Sequence, residues 1–539
     1  MLLLTNSMFV LILIQTSMYL SRRAPISCKI GMNLPLNLVG FALLATITSW
    51  AQGTQSETRA TQLPLYNREQ TTVSVQQSAT SSGGSSVNTL NTQVSVQGVY
   101  SGSALAPNPP SGSITLTLAD AVRRGLEFNL GKIGADAASR QAEGQRLFAR
   151  SSLLPNISAS VSENATKIDL AVEGFNSSLF PGPPGFNFPT TSGPFHYYDV
   201  RGSLQQSLMD FTALHNYRAA RQSAEAANFD ALHAREQVVL AVTGTYLQLM
   251  ATTALIAAQR VEVQYAEASY KQARAQVDAG NKAPIEANRS LVELQTQQQR
   301  LRSQLGDLQK QKNGLARLIG LPLGLDIEIT EKLQTLPSEP VPVEELVRRA
   351  LTLRQDLKSA EAQLRAGEEA RRAAGTENLP SATVNGYYGM QGVNPNTGNG
   401  VFQATAGLNI PIFNGGRTHA DTVQADAVVS ERRAELSNER GAVELDVRNA
   451  YIDLSVANEQ VGTAESNQKL ALTTLQQSQD RFAVGVADSV EVVNSQEALA
   501  TADHDYVSSL FSQNLARISL AHAMGEAEKD FSDLFKGSK

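Results

Sequence analysis

The chain of 539 residues contains a single cysteine, Cys28, and a single tryptophan, Trp50, and aromatic residues make up only 6% of it. One cysteine cannot form a disulfide within the chain, so no disulfide framework holds the fold together. Because large rings are rare, any core is built mainly from small aliphatic side chains. The low aromatic content favours an extended molecule over a stack of globular domains.

Acidic residues are absent from positions 1–51, which contain three basic residues and two apolar stretches. The second stretch runs from about Leu36 to Ile47 and is followed by the small residues Ser49 and Ala51. This order of charge, apolar segment and small residues is typical of a secretory signal. We therefore predict cleavage after Ala51. The alternative is a retained membrane anchor, since positions 1–20 are nearly long enough to span a bilayer.

Cleavage after Ala51 removes both Trp50 and Cys28. The purified mature form is therefore expected to show only tyrosine-like fluorescence when it is excited in the ultraviolet band where tryptophan and tyrosine both absorb. Mass spectrometry of the same sample locates its N-terminus. A clear tryptophan signal from intact material would contradict the predicted cleavage.

Cleavage also lowers the formal net charge from −6 to −9, because three basic residues are removed. An acidic chain without a basic patch does not favour a nucleic-acid partner. No run of 18 apolar residues follows position 51, so any membrane insertion of the mature chain requires a β-barrel. Residues 52–113 are rich in Ser, Thr, Gln and Gly, a composition that predicts a flexible arm.

The rest of the chain repeats itself at an offset of about 205 residues, which indicates one supersecondary unit used twice. Gly280 corresponds to Gly485, and Gly320 corresponds to Gly525. An upstream block, which includes a Leu-Pro pair, recurs at an offset of about 225. The predicted segments are a first repeat at 114–338, a second at 339–527 and a C-terminal tail at 528–539.

Each repeat predicts a β-hairpin between helices. After Pro155 and after Pro380 the hydrophobic period changes from helical to two, with apolar residues alternating with Ser, Thr, Gln, Asn or Gly. The strands therefore have one apolar and one polar face. A Gly-, Pro- and Phe-rich loop between about 175 and 195 holds the additional residues of the first repeat.

Proline is missing between Pro194 and Pro284 and after Pro411. Unbroken helices are therefore predicted from about 212 to 278 and from about 417 to 483, each roughly 100 Å long. Each helix turns at a glycine into a returning helix of about 35 residues. The Leu and Ile spacing of the first returning helix indicates a coiled coil.

Four strands in one chain leave two open edges, which a bilayer does not tolerate. Several chains must combine to close a barrel. Three chains would contribute 12 strands around a water-filled passage. The alternative is a soluble hairpin on a periplasmic coiled-coil structural or adaptor-like protein that never inserts in the membrane.

At residues 408–417 (LNIPIFNGGR) and 481–492 (RFAVGVADSVEV) the sequence resembles the outer-membrane efflux channels of Gram-negative bacteria, the TolC-like proteins. The resemblance covers about residues 115 to 527. It implies an α+β membrane protein, a homotrimer with a 12-stranded β-barrel in the outer membrane and an α-barrel tunnel across the periplasm. A periplasmic adaptor and an inner-membrane transporter are the implied partners, docked at the periplasmic tip.

Two acids at equivalent positions are the candidate site residues. Glu286 lies six residues after Gly280, and Glu491 lies six after Gly485. The resemblance implies that acids here form a ring at the narrow entrance, which would concentrate cations. The alternative is an ordinary acid in the first turn of a helix, which the helix dipole favours.

The resemblance also implies gate positions at Phe482 and Ala487. Phe482 keeps a ring but lacks the hydroxyl of the family's tyrosine, and Ala487 replaces an arginine, so the polar latch of the family is missing. Closure is therefore expected to depend on coiled-coil packing. The expected adaptor-docking surface lies at the two tip turns and comprises Gly280, Val484, Gly485 and Val486.

The sequence contains no H-E-x-x-H or C-x-x-C motif, and its six histidines form no pair at helical metal-binding spacing. We expect no enzyme activity, no metal and no cofactor. The predicted function is a passive outer-membrane exit duct of a tripartite efflux or type I secretion system. Its cargo, small molecules or polypeptides, would be selected by a proton-driven or ATP-driven pump.

Overall fold

The computed structural model describes residues 73–79, 90–107, 112–170, 172, 189–335, 341–394 and 396–528. The predicted signal segment at 1–51 lies outside the described residues, as do the predicted tail beyond residue 528 and most of the loop predicted between 175 and 195.

Eight strands are assigned in the described part of the chain, and we number them in chain order. Their bounds are β1 Val73–Ala79, β2 Leu90–Val96, β3 Ser113–Leu116, β4 Asn156–Asp169, β5 Thr191–Met209, β6 Asp326–Ile329, β7 Ser381–Gly392 and β8 Asn399–Asn409. A 3₁₀ turn at Gly98–Ser101 follows β2.

Eight α-helices of the same part of the chain carry most of its residues. Their bounds are α1 Leu118–Phe128, α2 Leu130–Ser151, α3 Phe211–Asp278, α4 Pro284–Leu318, α5 Val343–Leu353, α6 Gln355–Gly375, α7 Arg417–Ala483 and α8 Ser489–Ala523. The order of two helices, two strands and two helices occurs first from α1 to α4 and again from α5 to α8.

Local sequence signals account for the helix ends. The Thr117 side chain accepts a hydrogen bond from the Asp120 amide and starts α1, and Asp210 caps α3 in the same way. Pro342, followed by two acids in the first turn, starts α5. The long helices α3 and α7 contain 68 and 67 residues, and both lie where the missing prolines predict them.

The four strands β4, β5, β7 and β8 form one antiparallel sheet in that order. Adjacent strands place like residues side by side. One row across the sheet is Ala159, Gly202, Tyr388 and Phe402, and another is Asn156, Gln205, Asn385 and Thr405. The sheet therefore has one apolar and one polar face, as the alternation predicts.

The apolar face of this sheet is not covered by the rest of the chain. Tyr388, Phe402, Ile157 and Val161 are large apolar residues that remain exposed. The outer strands β4 and β8 each have a neighbour on one side only. Both features leave the sheet incomplete within one chain.

The largest core joins the two helical hairpins to a small parallel pair, β3 with β6. Tyr246 of α3 is fully buried there. Its hydroxyl donates to the Leu116 carbonyl at 2.9 Å and lies 2.6 Å from the Glu331 carboxylate. A buried hydroxyl with two partners ties the long helix to the chain segments around it.

The predicted flexible arm at 52–113 is wrong for the part of it that the structure describes. Strands β1 and β2 form an antiparallel hairpin, and Val73, Val75, Val94 and Val96 pack against the main core. Gly244 of α3 permits this contact, because a Cβ there would lie 2.8 Å from Val94. The alternating valines thus give a mostly polar segment an apolar face that the core contacts.

Helix α3 has the length and, over its most apolar window of residues, the composition to cross a membrane. Within the structure 67% of that window is buried against other elements. We interpret the apolar window as the core-facing part of a long bundle helix, since it coincides with the region around Tyr246.

Candidate functional site at the helical tips

The α3–α4 and α7–α8 connections form two equivalent tips. Gly280 and Gly485 end the incoming helices with φ angles of 73° and 79°, a conformation that glycine adopts without strain. The returning helices start differently. Pro284 begins α4, whereas Asp488 caps α8 by accepting a hydrogen bond from the Glu491 amide at 3.0 Å.

Glu286 connects the two tips. Its carboxylate accepts a hydrogen bond from the Ser489 hydroxyl at the start of α8, and its other oxygen lies 3.2 Å from the Arg289 guanidinium. The side chain is only 15% exposed. The sequence predicted a carboxylate that faces the entrance. Within one protomer, however, both oxygens of Glu286 are engaged by Ser489 and Arg289.

Glu491 is the more accessible of the two acids, with 37% of its side chain exposed. Its Oε1 lies 3.4 Å from Nε of Arg481, which is one residue before Phe482. An exposed pair of this kind is weak, and it offsets only part of the carboxylate charge.

Phe482, a predicted gate position, is 1% exposed and packs with Leu475, Ala487, Val492 and Leu499. The Lys282 ammonium of the other tip lies 4.0 Å from the centre of the Phe482 ring and donates to the Ala487 carbonyl at 3.4 Å. A cation over an aromatic face is attracted by the ring electrons. The structure therefore brings both predicted gate positions together, with the ring buried between the hairpins.

The expected docking turns are accessible. Val484 and Val486 are exposed on either side of Gly485, and no atom lies within 4 Å of a Cβ built on Gly280 or Gly485. An apolar groove lined by Ile285, Val292 and Val490 continues from these turns along the start of both returning helices.

Sequence reasoning missed the residues that contact the predicted site residues at the tips. Lys282, Arg289, Arg481 and Ser489 all lie within nine residues of a tip glycine, and each contacts one of the predicted site residues. The only signal in the sequence that could have pointed to them is the presence of charged residues close to a predicted helix turn. The contacts of Lys282 and Ser489 join segments 200 or more positions apart and could not be deduced from spacing.

The described residues of the tips contain acids and bases but no histidine or cysteine. Across the part of the chain that the structure describes, no group of three His, Cys, Asp or Glu residues is placed to hold a metal ion.

The fold is shared with several solved outer-membrane channels. The outer membrane protein VceC of Vibrio cholerae matches at 19% identity with a TM-score of 0.64, covering 76% of this chain and 96% of that chain. The CmeC channel of Campylobacter jejuni matches at 16% identity with a TM-score of 0.65, covering 78% and 90%. The MtrE channel of Neisseria gonorrhoeae, solved in its open state, matches at 17% identity with a TM-score of 0.60, covering 85% and 97%.

At these identities the likeness establishes the fold, which is that of TolC-like channels. A model of the outer membrane efflux protein family matches residues 134–321 and 346–526. The chain therefore belongs to the outer membrane efflux protein family, and this membership places it in the bacterial outer membrane. No curated protein matches the sequence at a significant level.

Proposed function

We propose that this protein is a passive outer-membrane exit duct that assembles as a homotrimer. Three copies of the four-stranded sheet close a 12-stranded barrel in the membrane, and the long helices form a tunnel across the periplasm. A periplasmic adaptor and an inner-membrane transporter dock at the tips and drive export through it. The two halves of the chain act as tandem repeats around the tunnel.

The observation that carries this proposal is the incomplete sheet. Its four strands alternate in direction, so β4 and β8 at its two edges run antiparallel to each other. Edge strand β8 of one copy can therefore pair with β4 of the next in the same antiparallel pattern. Each copy adds four strands, so the closed barrel has the even number of strands that is typical of outer-membrane barrels. The exposed apolar row that includes Tyr388 and Phe402 then faces lipid, and the polar row faces water.

The tips support the rest of the proposal. Their exposed valines and the adjoining apolar groove suit a protein partner at the periplasmic end. The contacts of Lys282 and Glu286 across the two hairpins suit a closed entrance, with Phe482 buried between them. We assign Glu491 to the cation-selective ring, because it is the more exposed of the two acids.

Disulfide crosslinking tests the barrel. In a background without Cys28, one cysteine replaces Ser160 of β4 while a second is scanned through positions 399–409 of β8. Covalent species of two and three chains are expected, and nothing larger, because three copies close the ring. The reactive positions should alternate along β8, since only every second residue shares a face with Ser160.

The matched control places the first cysteine at Ser203 of β5, which is flanked on both sides within its own chain. That series is expected to give no crosslinks between chains. A ladder that stops at one or two chains in the Ser160 series, or a soluble species obtained without detergent, would contradict the duct and favour the periplasmic scaffold.

A further inference from the structure

A cavity of about 720 Å³ lies between α3, α4 and α8. Its walls include Leu255, Gln259 and Glu262 of α3, Arg300 of α4, and Glu497 and Asp503 of α8. On α3 these positions recur every three or four residues, so one face of the helix is turned toward the cavity. The site lies about 25 Å along α3 from the tip turn. Its volume is in the range of small-molecule sites, roughly 300 to 1,000 Å³.

Glu262 is the acid of this cavity that the fold leaves unsatisfied, and the side-chain oxygen of Gln304, which lines the same cavity, is also buried without a partner in the described part of the chain. It is 2% exposed, and neither carboxylate oxygen has a hydrogen-bond partner among the described residues. The neighbouring amides are already engaged, because Gln259 donates to the Gln297 side chain at 2.7 Å and Gln297 donates to Glu293 at 2.6 Å. A buried carboxylate without a donor is unfavourable, and a cation would relieve the penalty.

The charges around Glu262 also favour a cation. Burial, together with the negative charges of Asp503 and Glu293, raises the pKa of Glu262 to about 7. The carboxylates that line the cavity outnumber its basic residues, Arg300 and His504. The potential inside is therefore negative when Glu262 is ionised.

We propose that this cavity binds an organic cation, whose charged nitrogen pairs with Glu262 while its apolar body contacts Leu255 and the neighbouring alanines. The cavity is far larger than a single inorganic ion, and its acids belong to no metal-holding group in the described part of the chain. The alanines that line it are Ala258, Ala498 and Ala500. This binding site is an addition to the duct function, and its test does not depend on transport.

The test is equilibrium binding of ethidium to the full-length assembled channel in amphipol at pH 8, measured by fluorescence. Saturable binding is expected. Glu262→Gln should weaken it at least about tenfold, because the ion pair is lost. Arg300→Gln should bind the dye more tightly, because a repelling charge is removed. Glu267→Gln is the matched control, since Glu267 is an exposed acid of the same helix that pairs with Lys271. It should leave the affinity unchanged.

Lowering the pH from 8 to 6 should weaken binding to the wild type, because Glu262 becomes protonated, and should have much less effect on Glu262→Gln. The charged groups that face Glu262 from the neighbouring helices are Glu293 and Arg300 of α4 and Glu497, Asp503, His504 and Asp505 of α8. The pH effect should persist in His504→Gln. Absence of saturable binding to the wild type, or equal affinities for wild type and Glu262→Gln, would overturn the proposal.

Discussion

Replacing Arg354 with methionine is expected to destabilise the helical part of the protein by about 3 kcal/mol. Arg354 lies between α5 and α6, and its side chain is 8% exposed. The guanidinium binds Asp356 through Nε at 3.1 Å and reaches Asp446 of α7 at 2.7 Å. Burial alone would lower its pKa, but these hydrogen bonds outweigh burial and hold the pKa of Arg354 above its usual value.

Methionine keeps most of the apolar stem of Arg354 and removes the charged guanidinium together with its hydrogen-bond donors. The partly buried Asp356 then has no guanidinium partner, and breaking a pair by removing one member is the costly case. The measurement is the thermal midpoint of the helical circular dichroism signal, with trimer content followed in parallel.

Arg448→Met is the matched control for this substitution. Arg448 also pairs with two acids, Glu344 and Glu444, but on an exposed surface. Its loss should lower the thermal midpoint far less than the loss of Arg354, because solvent screens an exposed ion pair. Equal effects of the two substitutions would show that the buried network of Arg354 does not hold α5 and α6 against α7.

Replacing Glu491 with glutamine is expected to lower the cation-to-anion permeability ratio at least about twofold in planar bilayers. In the proposed trimer, three copies of the carboxylate would meet at a constriction and attract cations through a focused field. Arg481 offsets part of that charge, since its Nε lies 3.4 Å from Oε1 of Glu491. Arg481→Gln should therefore act in the opposite direction and raise cation preference.

Two controls accompany the selectivity measurement: the salt concentration is varied, and an acid far from the tip is substituted. The effect of Glu491→Gln should decrease as salt rises, because screening shortens the reach of the ring to about 8 Å near physiological ionic strength. Glu267→Gln removes an acid of α3 about 20 Å from the tip and should leave selectivity unchanged. If Glu491→Gln keeps full cation preference at low salt, Glu491 is only the first-turn acid of α8.

The long helices show how much of the fold the sequence encodes locally. The missing prolines and the two glycines predict α3 and α7 to within one residue of their observed bounds. Each end depends on a few neighbouring residues, which is why it can be read from the chain. The four strands of the sheet follow from alternation for the same reason.

The N-terminal hairpin shows where such reasoning fails. Its composition predicts a flexible arm, yet Val94 packs over Gly244 of α3. The contact joins segments about 150 residues apart, and composition cannot report a partner at that distance. Packing against an existing core compensated for a sequence with little hydrophobicity of its own.

By itself the sequence determined the long helices, the four strands of the β4–β5–β7–β8 sheet, the turns at Gly280 and Gly485, and the resemblance that family membership later confirmed, because each of these depends on local spacing or on a short motif. Only the tertiary structure decided the partners of the charged groups. It placed Ser489 on Glu286, Lys282 over Phe482, and Glu262 in a cavity without a donor. Pairing and burial depend on which helix faces meet, and that is a property of the assembled bundle rather than of any one segment.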